Sequence, residues 1–178
     1  MTNFACKFTL AVALAASMST FAIAQDTTHH HMATSEMSAP VAVGDLEISG
    51  AFTRATLPNA PVAGGFLTIT NSGETDDRLV AASADFAQVA QIHEMAMEGD
   101  VMKMQQLSEG LVIPAGETVT LEPGGFHVMF MGLTQALVEG EVVPVALVFE
   151  HAGEVTVSFE IAGAAADASP MKMDHATH

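Results

Sequence analysis

The chain contains no tryptophan, no tyrosine and a single cysteine, and its 21 aspartates and glutamates are opposed by only 5 lysines and arginines. Each shortage removes a class of function. Without tryptophan or tyrosine, the aromatic platforms that stack bases and sugars are poorly supplied. A formal net charge of −16 makes the surface repel nucleic acid and anionic lipid and leaves cations as partners. The apolar run Phe8 to Met18 is too short to cross a bilayer as a permanent helix. No Gly-rich phosphate loop, Gly-x-Ser-x-Gly elbow or His-Glu-x-x-His zinc motif occurs; in His93-Glu94-Met95-Ala96-Met97 the last position is methionine. These gaps argue against an enzyme.

Residues 1–24 read as a secretory signal peptide. Lys7 gives a weak positive start, the apolar run follows, and Ala22-Ile23-Ala24 fits a small-x-small cleavage pattern that leaves Gln25 first. The alternative, a retained anchor, is disfavoured by the short run. Cys6 precedes that run, so it is not a lipid-attachment cysteine at a cleavage site. Cleavage leaves a mature chain with no disulfide, no thiolate nucleophile and no cysteine metal ligand. The expectation is a periplasmic protein that does not insert in a membrane after cleavage.

The rest divides by composition. Residues 25–40 lack hydrophobic periodicity and read as a flexible leader; residues 164–178 read as a similar tail. Between them, residues 41–163 form one domain of ordinary size. Short segments rich in Val, Ile, Phe and Thr alternate with Gly, Pro, Asn and Asp. They predict strands at Asp45–Phe52, Gly65–Asn71, Arg78–Ser83, Val89–Met97, Val101–Gln106, Thr118–Glu122, His127–Met131, Val143–Glu150 and Glu154–Ile161. Ala84–Gln91 could form a turn or two of helix. Eight or nine short strands make an all-β fold, a β-sandwich or Greek-key barrel.

Methionine is abundant, at 12 residues, and it clusters with histidine. In the predicted hairpin from His93 to Met104, Gly99-Asp100 suits a two-residue type II′ turn. That turn pairs Met97 with Met102 and Met95 with Met104. His93, Met95, Met97, Met102 and Met104 then share one face, with His93 diagonal to Met104. A three-residue turn would put His93 and Met104 on opposite faces. In Phe126 to Met131, alternation groups His127, Met129 and Met131 on one face and the core-like Val128 and Phe130 on the other. Methionine often only fills gaps in a core, and one His-x-Met is usually packing. Two such clusters, plus His and Met in both polar ends, exceed what packing explains. Thioether sulfur is soft and uncharged and selects Cu(I) over Mg, Ca or Mn; zinc prefers His, Cys or carboxylate. A blue-copper electron-transfer site needs a thiolate, which the mature chain lacks.

Through these residues the chain resembles the periplasmic copper chaperones of the PCuAC family. The resemblance runs from about Gly44 to Gly163. It rests on Arg54-Ala55-Thr56, Asp76-Asp77-Arg78, the block from Ile92 to Leu107, Ile113-Pro114-Ala115-Gly116, Pro123 to Leu133, and Ala152-Gly153-Glu154-Val155. Phe52 stands where many relatives carry tryptophan. The resemblance implies a cupredoxin-like fold and a Cu(I) site at His93, Met104, His127 and Met129. The spacing from Met104 to His127 is one residue longer than the family motif, with the extra residue expected between Leu107 and Thr118. The resemblance also implies delivery of Cu(I) towards the copper centres of cytochrome c oxidase, to an apo oxidase subunit or a periplasmic thiol copper carrier. A copper-buffering or resistance protein with the same ligands is the alternative. In some relatives His/Met-rich ends bind extra copper, including Cu(II); here the candidates are Met171, Met173, His175 and His178 in the tail and His29, His30, His31 and Met32 in the leader. Composition leaves these ends open between copper capture and solvated linker.

Overall fold

The structure is a computed structural model that describes residues 39–168. The expected signal peptide and the eight His and Met candidates of the two ends lie outside the described residues. Within them the chain is all-β, and no helix is long and apolar enough to cross a membrane.

Eleven strands form: β1 (Val41–Val43), β2 (Leu46–Arg54), β3 (Val62–Asn71), β4 (Asp77–Ser83), β5 (Ala87–Glu98), β6 (Val101–Gln106), β7 (Leu111–Ile113), β8 (Thr118–Leu121), β9 (Phe126–Leu133), β10 (Val142–Phe149) and β11 (Gly153–Ala162). Nine correspond to the predicted strands. The additional two, β1 and β7, have three residues each, too few to display an alternation, and exist because β2 and β4 offer them edges. Ala84–Gln91 forms no helix. Ala87 N–H donates to Ala84 O in a tight turn, and β5 starts at once, with Phe86 buried edge-on against Phe130 at 4.9 Å.

The strands run in the order β6-β5-β9-β3-β2-β11-β10-β4-β7, with β1 added to β2 and β8 to β3. All pairings are antiparallel except that of β2 with β11. The sheet wraps around its core but is not closed. β3 organises the half that matters here: one edge pairs with β2, while the other pairs with β9 through Val62–Gly65 and then with β8 through Leu67–Thr70.

Alternation puts Val143, Val145, Leu147 and Phe149 of β10 and Val157, Phe159 and Ile161 of β11 inside, facing Val128 and Phe130 of β9. Each large side chain so buried contributes about 1.5–3 kcal/mol of transfer free energy. At the end of β4 the buried Asp77 carboxylate accepts backbone N–H bonds from Arg78, His151 and Ala152, which ties β4 to the turn between β10 and β11. Burial alone would raise the Asp77 pKa; the three backbone donors outweigh it, and the carboxyl sits below its ordinary value.

Candidate metal centre

The β5–β6 hairpin has the two-residue turn expected from Gly99-Asp100. Glu98 pairs with Val101, Met97 with Met102, Met95 with Met104 and His93 with Gln106. Gly99 has φ 66°, as the first turn position of type II′ demands, and a side chain there would be strained. Directly opposed residues share a face, so this pairing places His93, Met95, Met97, Met102 and Met104 together.

The second cluster arrives from the other side of β5. β9 pairs antiparallel with β5, setting His127 opposite His93 and Met129 opposite Gln91. His93 is therefore central: His127 lies directly across on β9, Met129 diagonal on β9, and Met104 diagonal on β6. All four occupy one face of three adjacent strands; Met104 and Met129 each lie within the roughly 7–8 Å diagonal reach of His93, on opposite sides of it, Met104 level with Met95 and Met129 level with Gln91. The two imidazole rings lie 5.7 Å apart between centroids, tilted by 54°. His127 is buried at 5% exposure, whereas Met104 is 47% exposed on the outer strand.

Hydrogen bonds set the tautomers. The Gly125 carbonyl can only accept, so His127 Nδ1–H donates to it at 3.1 Å and the ring's lone pair falls on Nε2. The Gln91 amide oxygen lies 3.0 Å from His93 Nε2 and accepts its proton, which leaves the His93 lone pair on Nδ1. That Nδ1 is buried and has no hydrogen-bond partner. Burial, followed by repulsion from His127, lowers the His93 pKa from its ordinary value, so the ring is neutral at pH 7 with its lone pair free. Among the described residues no three of His, Cys, Asp and Glu come together as a metal-binding group. What this face offers is two imidazole nitrogens and thioether sulfurs, a set suited to a soft monovalent cation and not to calcium or magnesium.

Beside the cluster opens a cleft of about 350 Å³ whose wall includes Arg54, Gly64, Phe66, Met95, His127 and Met129. Three of these carry roles that sequence reasoning missed. Met95, not among the four expected ligands, stands on the wall with His127 and Met129. Gly64 lies directly opposite Met129, and a Cβ there would come 2.9 Å from the Phe66 ring, so the absent side chain keeps the cleft open. Its signal was the Gly64-Gly65 pair inside a strand, the mark of close approach. Arg54 stacks over Phe66 at 5.6 Å, donates from Nε to Ala166 O at 2.7 Å and pairs with Asp167 at 2.8 Å. It thus holds the first residues of the C-terminal segment at the cleft rim.

Over residues 46–161 the chain matches the LpqE-like family, whose description is that of a lipoprotein. A relative named as a lipoprotein, Lxx21020 of Leifsonia xyli subsp. xyli, is 30% identical over 116 residues, 65% of this chain and 69% of that protein. Among solved structures, the copper-bound PCuAC domain from PmoF2 is 27% identical with a TM-score of 0.60, covering 70% of this chain and 97% of that one. The apo PCuAC domain from PmoF1 is 29% identical with a TM-score of 0.60, covering 70% and 98%. The Cu(I) form of DR1885 from Deinococcus radiodurans is 27% identical with a TM-score of 0.55, covering 73% and 85%. The chain belongs to the LpqE-like family, and its domain has the cupredoxin-like PCuAC fold.

Proposed function

We propose that this protein is an exported copper carrier that holds one Cu(I) between His93, Met104, His127 and Met129 and passes it to a recipient. The observation that carries this reading is the placing of two imidazoles and two thioethers on one face of β5, β6 and β9, with Met104 and Met129 each diagonal to His93 and the buried His93 Nδ1 left unpartnered. Similarity to copper-bound PCuAC domains supports it. All four ligands are neutral, so copper is not trapped by charge. Incoming thiolates of an acceptor displace thioether and imidazole one at a time, starting at the exposed Met104. The acceptor is a copper centre of cytochrome c oxidase or an intermediary thiol protein. The chain acts by binding and exchange, not by catalysis.

Export is supported by the lipoprotein naming of relatives and by the signal-like residues 1–24. Because the one cysteine, Cys6, lies within that segment, cleavage after Ala24 releases a periplasmic protein with no cysteine to carry a lipid. The His/Met ends act as auxiliary copper ligands, including for Cu(II).

Titration with Cu(I) against a competing chelator tests the site. The full chain gives one tight site; His127→Ala and Met104→Ala each lose it while the apo domain stays folded. Removing residues 169–178 lowers total stoichiometry and leaves the tight site. Unchanged affinity in both Ala variants refutes the ligand assignment. Failure to transfer copper to any thiol acceptor or oxidase domain, with tight binding intact, leaves a buffering protein instead of a carrier.

A further inference from the structure

The pairing of β5 with β9 ends at Glu94 opposite Phe126. Beyond it, residues 96–103 continue as a two-stranded ribbon. Its two faces differ in kind. Glu94, Ala96, Glu98, Val101, Lys103 and Gln105 form one face, where Lys103 pairs with Glu98. The other face is thioether at every position from 95 to 104: Met95 opposite Met104, then Met97 opposite Met102. Met97 is 62% exposed, Met102 53% and Met104 47%, so core packing does not account for them. Strand preference does not either, since exposed ribbons favour β-branched and aromatic residues. Successive rungs lie about 7 Å apart along the strand. The inner rung adjoins the centre: Met104 is diagonal to His93, and Met95 shares the cleft wall with His127 and Met129.

We propose that Met97 and Met102 form a second Cu(I) site at the hairpin tip, and that Met95 and Met104 relay the ion between it and the His93–His127 centre. This rests on the reading of that centre as a Cu(I) site. A pair of opposed thioethers supplies two soft ligands and leaves coordination open for a third from an acceptor. The tip site is weaker than the centre, which has imidazoles. Leaving the centre exchanges imidazole nitrogens for the Met95 and Met104 thioethers, and the step on to the tip exchanges one thioether for another, with no change in oxidation state. The tip is also the part of the site that projects furthest from the body of the sheet, where an acceptor's ligands reach it first.

The test uses the full chain with ¹³C-labelled methionine methyls and Ag(I), a redox-inert soft cation, followed by NMR so that each methionine reports separately. The first equivalent shifts the Met104 and Met129 methyls. Further Ag(I) shifts Met97 and Met102 in step, and Met102→Leu abolishes the Met97 response. In a second arm, Met97→Leu/Met102→Leu, which keeps the ribbon's apolar character, leaves the equilibrium affinity for the first Cu(I) unchanged. It slows Cu(I) loss to a thiol acceptor about fivefold, the rate effect of roughly 1 kcal/mol of barrier. If Met97 and Met102 stay silent while Met104 and Met129 respond, or if the Leu variant transfers at the wild-type rate, the relay is wrong; a wild-type rate would mark the stripe as an apolar docking face. If Met104 and Met129 are themselves silent, the copper centre fails first and the relay with it.

Discussion

Replacing Gly65 by alanine probes how tightly the site's floor is set against the core. Gly65 pairs with Val128 across β3 and β9, so a side chain there points inward. A Cβ would lie 2.7 Å from Phe130 Cε2, 3.2 Å from Phe130 Cζ and 3.1 Å from Phe159 Cε1. Carbon atoms at rest sit about 3.5–4.0 Å apart, so the closest contact must open by nearly 1 Å. Neither ring can give way easily. Both are fully buried, they pack edge to face at 6.3 Å, and Phe130 is braced by Phe86 at 4.9 Å. Overpacking of this kind costs about 1–3 kcal/mol, and the upper end applies here. Removing the glycine's extra unfolded-state freedom returns about 0.5–1 kcal/mol. The net loss is about 2 kcal/mol, which for a domain of this size lowers Tm by roughly 6–10 °C. Urea unfolding of Gly65→Ala measures it directly. Gly125→Ala is the control, since its Cβ would meet nothing nearer than 3.6 Å, and it stays within about 0.5 kcal/mol of wild type. A neutral or stabilised Gly65→Ala would show that the rings yield freely and that the packing argument for β9 is wrong.

Three further outcomes are expected. Asp77→Ala strands three backbone N–H groups and costs about 3 kcal/mol, read as a lowered urea midpoint. Because the folded pKa of Asp77 is depressed, its stabilisation is complete above the ordinary value of 3.8 and is lost as pH falls through the folded value. Acid unfolding of wild type therefore steepens below about pH 4, whereas Asp77→Ala lacks that component. Gln91→Leu removes the acceptor that orients His93; Cu(I) affinity falls about tenfold or more with little loss of stability, and chelator competition checks it. Arg54→Gln costs less than about 1 kcal/mol, since the ion pair with Asp167 is solvent-exposed, but it speeds amide exchange in residues 164–167, seen by hydrogen-exchange mass spectrometry.

What could be read from the chain was whatever local chemistry decides. Gly99-Asp100 set the hairpin pairing because a two-residue turn leaves no freedom of register, and that pairing alone put five His and Met side chains on one face. Alternation likewise separated Met129 from Phe130. The nine longer strands showed themselves through the same period of two. β1 and β7 did not, because three residues acquire strand geometry only from the edge that receives them. Ala84–Gln91 misled because its local propensity was overridden by the burial of Phe86 and the long pairing of β5 with β9.

Residue types and local turns determined that the protein is all-β, acidic, poor in thiol and rich in paired thioethers. Only the tertiary structure decided that β9 lies beside β5, so that His127 faces His93 across 34 positions of sequence. It also decided that Gly64 opens a cleft at Met129, and that Met95 stands on its wall. The reason is physical: pairing between distant strands follows from how the whole core closes, and no local pattern encodes which edge a strand will meet.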